Sequence, residues 1–279
     1  MGNILITASH FRTLCQKAIH LLESNGHQVI LNDHELPYYS FEELAVWAPE
    51  IDGAIIGMDQ WNEQVFHIAP KLKILARFGV GVDNIDLEAA KRHGIQVVNA
   101  AGMNANAVAE LAVAMILNCL RGIPELNRKL TDGQWSRAVG RDLLGKTVGL
   151  LGFGDIGGRV AKKLSGFEVR LLAYDPYPNR EKAAALGVTL TDLDTVLTQS
   201  DILSIHMPSI PATRHVMNRE TFAKMKPDSY FINTARGALV DTQALVDAVA
   251  GGHLAGAAVD VYEQEPLPMG APILHTPGI

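Results

Sequence analysis

Thr147-Val148-Gly149-Leu150-Leu151-Gly152-Phe153-Gly154-Asp155-Ile156-Gly157 is the stretch that decides the fold of this chain. Val148 to Leu151 is an apolar run of strand length, and the helical pattern Val160, Ala161, Leu164 follows the glycines. Between them Gly152, Gly154 and Gly157 satisfy G-x-G-x-x-G. Such a pattern alone is weak; a strand before it and a helix after it give it meaning. In that setting the first glycine permits a tight turn. The second lets the backbone approach a diphosphate, and the third lets the helix pack on the strand. The N–H groups where the helix starts, at Asp155 and Ile156, then attract the diphosphate. Asp175 ends the next strand, 18 residues after Gly157. A carboxylate there can accept hydrogen bonds from both ribose hydroxyls of an adenosine and repels a 2′-phosphate. The expected cofactor is therefore NAD rather than NADP.

Outward from this turn, strands and helices alternate in both directions. Downstream, the strands expected are Thr147–Leu151, Val169–Tyr174, Ile202–His206, Tyr230–Asn233 and Ala257–Val261. Upstream, they are Ile4–Thr7, Val29–Leu31, Ala54–Gly57, Ile74–Arg77 and Gln96–Asn99. One upstream helix is clearly punctuated, with Asp86 as N-cap, Leu87–His93 as body and Gly94 past its end. Alternating strands and helices imply parallel sheets covered on both faces. The expected fold class is α/β, with two doubly wound parallel-sheet domains. Residues 1–100 form a flavodoxin-like substrate domain and residues 101–279 a Rossmann nucleotide-binding domain. Between the two series runs a long helix, Ala105 to Leu120, apolar nearly all round. A helix of that kind is a core helix or one shared with a partner subunit, so a homodimer is expected.

Bulk properties narrow the function. The chain has 279 residues, 48% of them hydrophobic, and a formal net charge of -6. It carries no basic run of the kind that marks nucleic-acid or anionic-membrane binding, so neither partner is expected. Cys15 and Cys119 stand apart from any CxxC or Cys/His pair, which argues against zinc and dithiol redox chemistry. Two reduced thiols and an N-terminus unlike a signal peptide fit a cytoplasmic protein. The most continuous apolar stretch, Leu111 to Leu117, is far below membrane-spanning length.

Longer motifs carry a resemblance. Gly79-Val80-Gly81-Val82-Asp83-Asn84-Ile85-Asp86, the segment Asn104 to Glu110, Asn233-Thr234-Ala235-Arg236-Gly237 with Val240-Asp241, and Gly256-Ala257-Ala258-Val259-Asp260-Val261-Tyr262-Glu263-Gln264-Glu265-Pro266 occur in order along essentially the whole chain. Together they resemble the D-isomer-specific 2-hydroxyacid dehydrogenases, and within them most closely the phosphoglycerate dehydrogenases. The resemblance implies hydride transfer between NAD(H) and a small D-2-hydroxy or 2-oxo acid, 3-phosphoglycerate among the candidates. Arg236 offers a planar cation able to hold the substrate carboxylate and the reacting carbonyl. Backbone N–H groups around Val80 and Gly81 could hold the other side of the carboxylate. By the resemblance, Glu265 orients a proton-donating histidine, and Asp260 contacts the nicotinamide carboxamide. His206-Met207-Pro208 matches a cofactor-facing turn, with Thr213 in the same loop and Thr234 and Ala235 beside Arg236. His206 therefore lies along the cofactor and is not the general acid.

Two departures stand out. The family's catalytic histidine sits in a Thr-Pro-His-type segment, and this sequence closes on His275-Thr276-Pro277-Gly278-Ile279, with Thr-Pro in a different order. The expectation is that this histidine, and the segment that returns to the first domain, are not in the sequence. A phosphate-bearing substrate calls for a cation, but Met58-Asp59-Gln60-Trp61-Asn62-Glu63 has acids and no base, leaving Arg77, Arg137 and Arg141 as candidates. The competing functions are an NAD-sensing, corepressor-like binding protein of the same fold and an inactive fragment. Arg236 and Glu265 together favour the enzyme, since a sensor needs no such pair.

Overall fold

The computed structural model describes residues 1–32, 38–137 and 139–279. It divides into two compact units, Met1–Asn104 and Ala105–Ile279. The sequence reading puts that division at 100/101. The next four residues are a turn, and the long helix opens the second unit at Ala105.

In the first unit β1 (Asn3–Ile6), β2 (Gln28–Leu31), β3 (Gly53–Ile56), β4 (Ile74–Arg77) and β5 (Gln96–Asn99) form one parallel sheet in the order β2-β1-β3-β4-β5. Two apolar clusters cover its faces, one around Leu5, Trp61, Phe66 and Leu75, the other around Ile4, Ile6 and Phe11. The helix Leu87–Arg92 is capped as its sequence predicts: Asp86 accepts from the Ala89 N–H at 2.9 Å, and Gly94 takes φ 71°.

The second unit holds β6 (Thr147–Leu151), β7 (Arg170–Tyr174), β8 (Val188–Leu190), β9 (Ile202–Ile205), β10 (Ser229–Asn233) and β11 (Leu254–Val259) in the order β11-β10-β9-β6-β7-β8, all parallel. Side chains alternate across the sheet. Val148 and Leu150 of β6 join one buried cluster and Leu151 joins the other. Both faces are covered by helices, which is why these strands read as nearly unbroken apolar runs. Order reverses beside β6, between β7 and β9, and ligands of such sheets bind beyond the carboxyl ends at that point.

Three expectations are corrected. Val188–Leu190 is a sixth strand at the sheet edge, too short to show a period. Val261 lies beyond β11, which starts earlier, at Leu254. The helix Ala105–Arg121 buries one face only, through Ala105, Ala109, Ala112, Ile116 and Leu120, while Leu111 is exposed. Among the described residues no single helix is long and apolar enough to cross a membrane.

Candidate active site

The glycine turn is built by three close approaches and one open space. Gly152 takes φ 94°, and its N–H donates to the Tyr174 carbonyl at 2.8 Å. A Cβ there would stand 2.7 Å from the His206 carbonyl oxygen, so no other residue fits. A Cβ on Gly157 would stand 2.2 Å from the Gly152 oxygen, so the helix Asp155–Leu164 presses directly on the turn. At Gly154, by contrast, a Cβ would meet nothing within 4 Å. Gly154 is the N-cap of that helix and no side chain caps it. The first internal bond is Gly158 N–H to Gly154 O at 3.1 Å, so the N–H groups of Asp155, Ile156 and Gly157 have no acceptor within the helix. This is a cradle that an anion can approach closely.

Asp175 stands where β7 ends. Its carboxylate accepts from the Phe153 N–H at 2.7 Å and from the Tyr177 N–H at 2.8 Å, which fixes it against the glycine turn. Each oxygen keeps a lone pair for a further donor.

His206 follows β9, and its ring lies 3.8 Å from the position of a Cβ on Gly157. Its Nε2 meets the Ser204 hydroxyl at 3.0 Å, and its Nδ1 is buried with no partner among the described residues. Burial pushes its pKa down to about 4, so the ring is neutral at physiological pH. Part of the residue still meets solvent, but the enclosed nitrogens set its protonation. A ring held neutral is a weaker proton donor than an imidazolium. Pro208 is exposed. The Thr213 hydroxyl is spent inside the same loop, donating to the Pro208 carbonyl at 2.7 Å and accepting from the Ile210 N–H at 2.9 Å. Its part is to shape that loop.

The arginine and acid motifs meet. Asn233, buried at the end of β10, accepts from the Ala235 N–H at 2.9 Å and donates to the Arg236 carbonyl at 3.0 Å. Its own carbonyl accepts from the Asp260 N–H at 2.9 Å. Gly237 has no side chain because a Cβ there would stand 1.9 Å from the Tyr262 carbonyl carbon. Arg236 is half-buried, with Nη1 donating to the Ala235 carbonyl at 2.7 Å. The Thr234 hydroxyl is buried with no partner among the described residues. Partial burial, and after it the charge of Glu265, raises Asp260 above the usual carboxylate range. Glu265 accepts from the Tyr262 N–H at 2.9 Å and is exposed.

The histidine–carboxylate contact in this region is a different one. Glu263 accepts from the Thr242 N–H at 2.9 Å and meets His215 Nε2 at 2.6 Å. Burial works against its charge, but the bonds from Thr242 and His215 outweigh it and hold Glu263 below the usual range. Asn233 and Glu263 both lie inside the long motifs, yet their contacts depend on strand register and chain reversal rather than spacing.

In the first unit, the loop after β4 turns its carbonyls inward. Those of Phe78, Gly79 and Val80 accept from Arg77 Nη1, the Ala100 N–H and Asn99 Nδ2 at 2.5, 2.9 and 2.6 Å. Asn84 ties the loop to the Gly57 and Asp59 carbonyls. The N–H groups of Val80 and Gly81 have no acceptor among the described residues. Neither acid of the Met58–Glu63 turn faces outward alone. Asp59 is buried, accepting from the Thr7 hydroxyl and the Tyr39 N–H, and burial raises its pKa. Glu63 pairs with Arg92 and His93.

Of the three candidate substrate cations, Arg141 falls out. It donates to the Asp228 carbonyl at 2.7 Å, at the amino end of β10, where ligands of such sheets do not bind. A cavity of about 520 Å³ lined by Arg121, Arg141 and Tyr230 lies at that same end, and of the candidate residues only Arg141 lines it. Arg77 packs beside Gly79, its Nη1 2.8 Å from where a Cβ would stand. Among the described residues no cluster of side chains is suited to a metal ion.

Comparison with known proteins places these features in context. A family model described as the NAD binding domain of D-isomer specific 2-hydroxyacid dehydrogenase matches residues 113–279. A D-3-phosphoglycerate dehydrogenase of Archaeoglobus fulgidus is 39% identical over 94% of this chain and 49% of its own length. The chain thus spans about half the length of that relative. A hydroxypyruvate reductase of Thermotoga maritima is 40% identical over 88% of this chain and 81% of its own length. The solved structure of an NAD-dependent formate dehydrogenase from Staphylococcus aureus in complex with NAD superposes with TM-score 0.84 at 32% identity, covering 100% of this chain and 86% of that one.

Proposed function

The chain belongs to the D-isomer specific 2-hydroxyacid dehydrogenase family and carries its NAD-binding domain, and from that premise we propose that it transfers a hydride between NAD(H) and a small 2-oxo or D-2-hydroxy acid. The observation that carries the proposal is the uncapped glycine turn, with Asp175 fixed against it and Arg236 held by Asn233 in the same unit. The residues fit a dinucleotide. Gly154 leaves room where a diphosphate must approach, and His206 Nδ1 and Thr234 Oγ1 are buried polar atoms still lacking partners among the described residues.

Gly152, Gly154, Asp155, Ile156 and Gly157 hold the diphosphate, and Asp175 takes the ribose hydroxyls and disfavours NADP(H). His206, Pro208, Thr234 and Ala235 line the cofactor, with Thr213 shaping the loop that carries Pro208 and Asp260 at the carboxamide. When bound, NAD(H) supplies a hydride at its nicotinamide ring. Arg236 of the second unit is suited to clamp a substrate carboxylate and polarise its carbonyl, and within the first unit the Val80 and Gly81 N–H groups are suited to carboxylate oxygen. By the resemblance, Glu265 is the carboxylate that would orient a proton-donating histidine and stabilise its charged form. The relatives named above are dehydrogenases and a reductase, and no observation favours the corepressor reading.

Exposed Leu111, Ile123, Leu130, Trp135 and Leu144 crowd one stretch, which supports a homodimer through the second unit. A single 30.2 kDa species in sedimentation at every concentration would contradict it. The net charge of -6 without a basic run supports a protein without nucleic-acid or anionic-membrane partners, and the free thiols of Cys15 and Cys119 support a cytoplasmic one. The catalytic reading is tested by following NADH oxidation with glyoxylate, hydroxypyruvate and 3-phosphohydroxypyruvate. For a chain that includes the proton-donating histidine, turnover with at least one is expected, together with a fall in both binding and turnover in Arg236→Lys, which keeps the charge but loses the planar fork. No oxidation with any of them, while NADH still binds, overturns it.

A further inference from the structure

Lys182 carries no motif signal in the sequence, yet its side chain ends at the glycine turn. It sits in the short helix Arg180–Ala185 after β7, which Asn179 caps by accepting from the Lys182 N–H at 2.9 Å. From there the side chain runs back across the helix Asp155–Leu164. Its Nζ donates to the Gly154 carbonyl at 2.6 Å and lies 5.4 Å from the centre of the Phe153 ring. A Cβ on Gly158 would stand 2.1 Å from Lys182 Cε and 2.2 Å from Nζ. Gly158 is bare where the lysine passes.

The ammonium has no carboxylate partner among the described residues. The nearest acids on this turn are engaged elsewhere, Asp155 with Arg159 at 3.0 Å and Asp175 with two backbone N–H groups. Its charge is therefore left for something else. It is bonded to the carbonyl of the N-cap residue, at the level of Gly158 and within the first turn of the helix whose start carries the unbonded N–H groups. A helix end alone offers roughly half a positive charge. A dinucleotide diphosphate brings two negative charges, and Asp155 adds a third, offset only by Arg159.

Resting on the cofactor reading above, we propose that Lys182 is a diphosphate-binding residue, supplying the cation that the glycine turn lacks. Two features of this geometry separate that role from a brace between two helices. A brace acts whatever the salt and whatever the ligand. A positive charge near the turn acts chiefly on phosphate-bearing ligands and fades as salt screens it.

The experiment is a titration of the wild type, Lys182→Met, Lys182→Arg and Gly158→Ala with NADH, ADP and adenosine, at about 0.01 M and about 1 M salt, where the screening length falls from about 30 to about 3 Å. Lys182→Met is expected to weaken NADH and ADP about tenfold at low salt, with the gap closing to about twofold at high salt and adenosine unaffected. Lys182→Arg should stay near wild type. Gly158→Ala keeps the charge but pushes it aside, and should lose part of the same affinity. Unchanged NADH affinity in Lys182→Met overturns the proposal, as does an equal loss at both salts and for adenosine. If Lys182→Met does not fold, the pairing of Lys182→Gln with Gly158→Ala decides the matter by the same criteria. A wild type that fails to bind NADH overturns the cofactor reading itself, which a change confined to the variants does not.

Discussion

Alanine at Gly154 and alanine at Gly157 should do opposite things, although only two residues separate them. At Gly157 the new methyl meets a backbone oxygen at 2.2 Å, and the turn must retreat by about 0.8 Å to reach the 3.0 Å below which real contacts essentially never fall. Overpacking of this kind costs about 1–3 kcal/mol. Alanine's helix preference returns about 0.5–1 kcal/mol. The net is a loss of roughly 1–2 kcal/mol, or about 2–4 °C of Tm for each kcal/mol in a unit of this size. The retreat also moves the cradle, so NADH affinity falls with stability. At Gly154 the methyl meets nothing within 4 Å. Losing a glycine N-cap costs up to about 1 kcal/mol, and the stiffer unfolded chain returns about 0.4–1 kcal/mol. Stability should therefore barely change. The methyl nevertheless occupies the space through which the diphosphate must approach, and NADH affinity should fall at least tenfold, about 1.4 kcal/mol. Urea unfolding and NADH fluorescence titration on both variants give the two readouts. Wild-type affinity in Gly154→Ala would refute the placement of the diphosphate over this turn.

Three further outcomes follow from the same structure. Asp175→Ala should narrow the preference for NADH over NADPH, measured by titrating both; an unchanged ratio removes Asp175 from ribose recognition. His206 binds its proton more weakly folded, at about 4, than unfolded, at 6.5, so stability is full above about 6.5 and falls as pH drops toward 4. Because part of the residue meets solvent, the fall is at most about 3 kcal/mol, and His206→Asn should flatten it in unfolding midpoints measured across that window. Asp59 has a raised pKa in the folded protein, so its stability contribution declines as pH rises from the unfolded carboxyl value through the folded one. Asp59→Asn can keep the Thr7 and Tyr39 contacts without the charge, and should be at least as stable as wild type at pH 7 with the difference vanishing in acid; a destabilised variant at pH 7 contradicts this.

What was legible in the sequence was local. The strand, turn and helix around Gly152 announce themselves because the apolar run, the glycines and the helical period are adjacent. Asp86 and Gly94 mark their helix for the same reason. Val188–Leu190 was hidden because three residues show no period and the strand sits at a sheet edge. The contacts that shape the site were hidden for another reason. Lys182 reaches Gly154 across 28 residues, and Glu263 reaches His215 across 48. The Asn233 clamp was visible as a motif letter, but its hold on Asp260 depends on β10 pairing with β11 in one register. His206 was placed along the cofactor from its motif, while the neutrality that weakens it as an acid comes from burial, which spacing does not report. Arg141 shows the converse: its residue type suggested anion binding, and only topology puts it at the wrong end of the strands.

The central claim is that NAD(H) is held on the glycine turn of the second unit, and hydrogen exchange with and without saturating NADH tests it most directly. The open amides of Asp155, Ile156 and Gly157 and the loops at Asp175 and His206 should gain protection on binding. The amides at the opposite, amino ends of the strands, around Asp228 and Leu254, should exchange unchanged. Binding of NADH that leaves residues 152–158 exchanging as in the free protein would contradict the account.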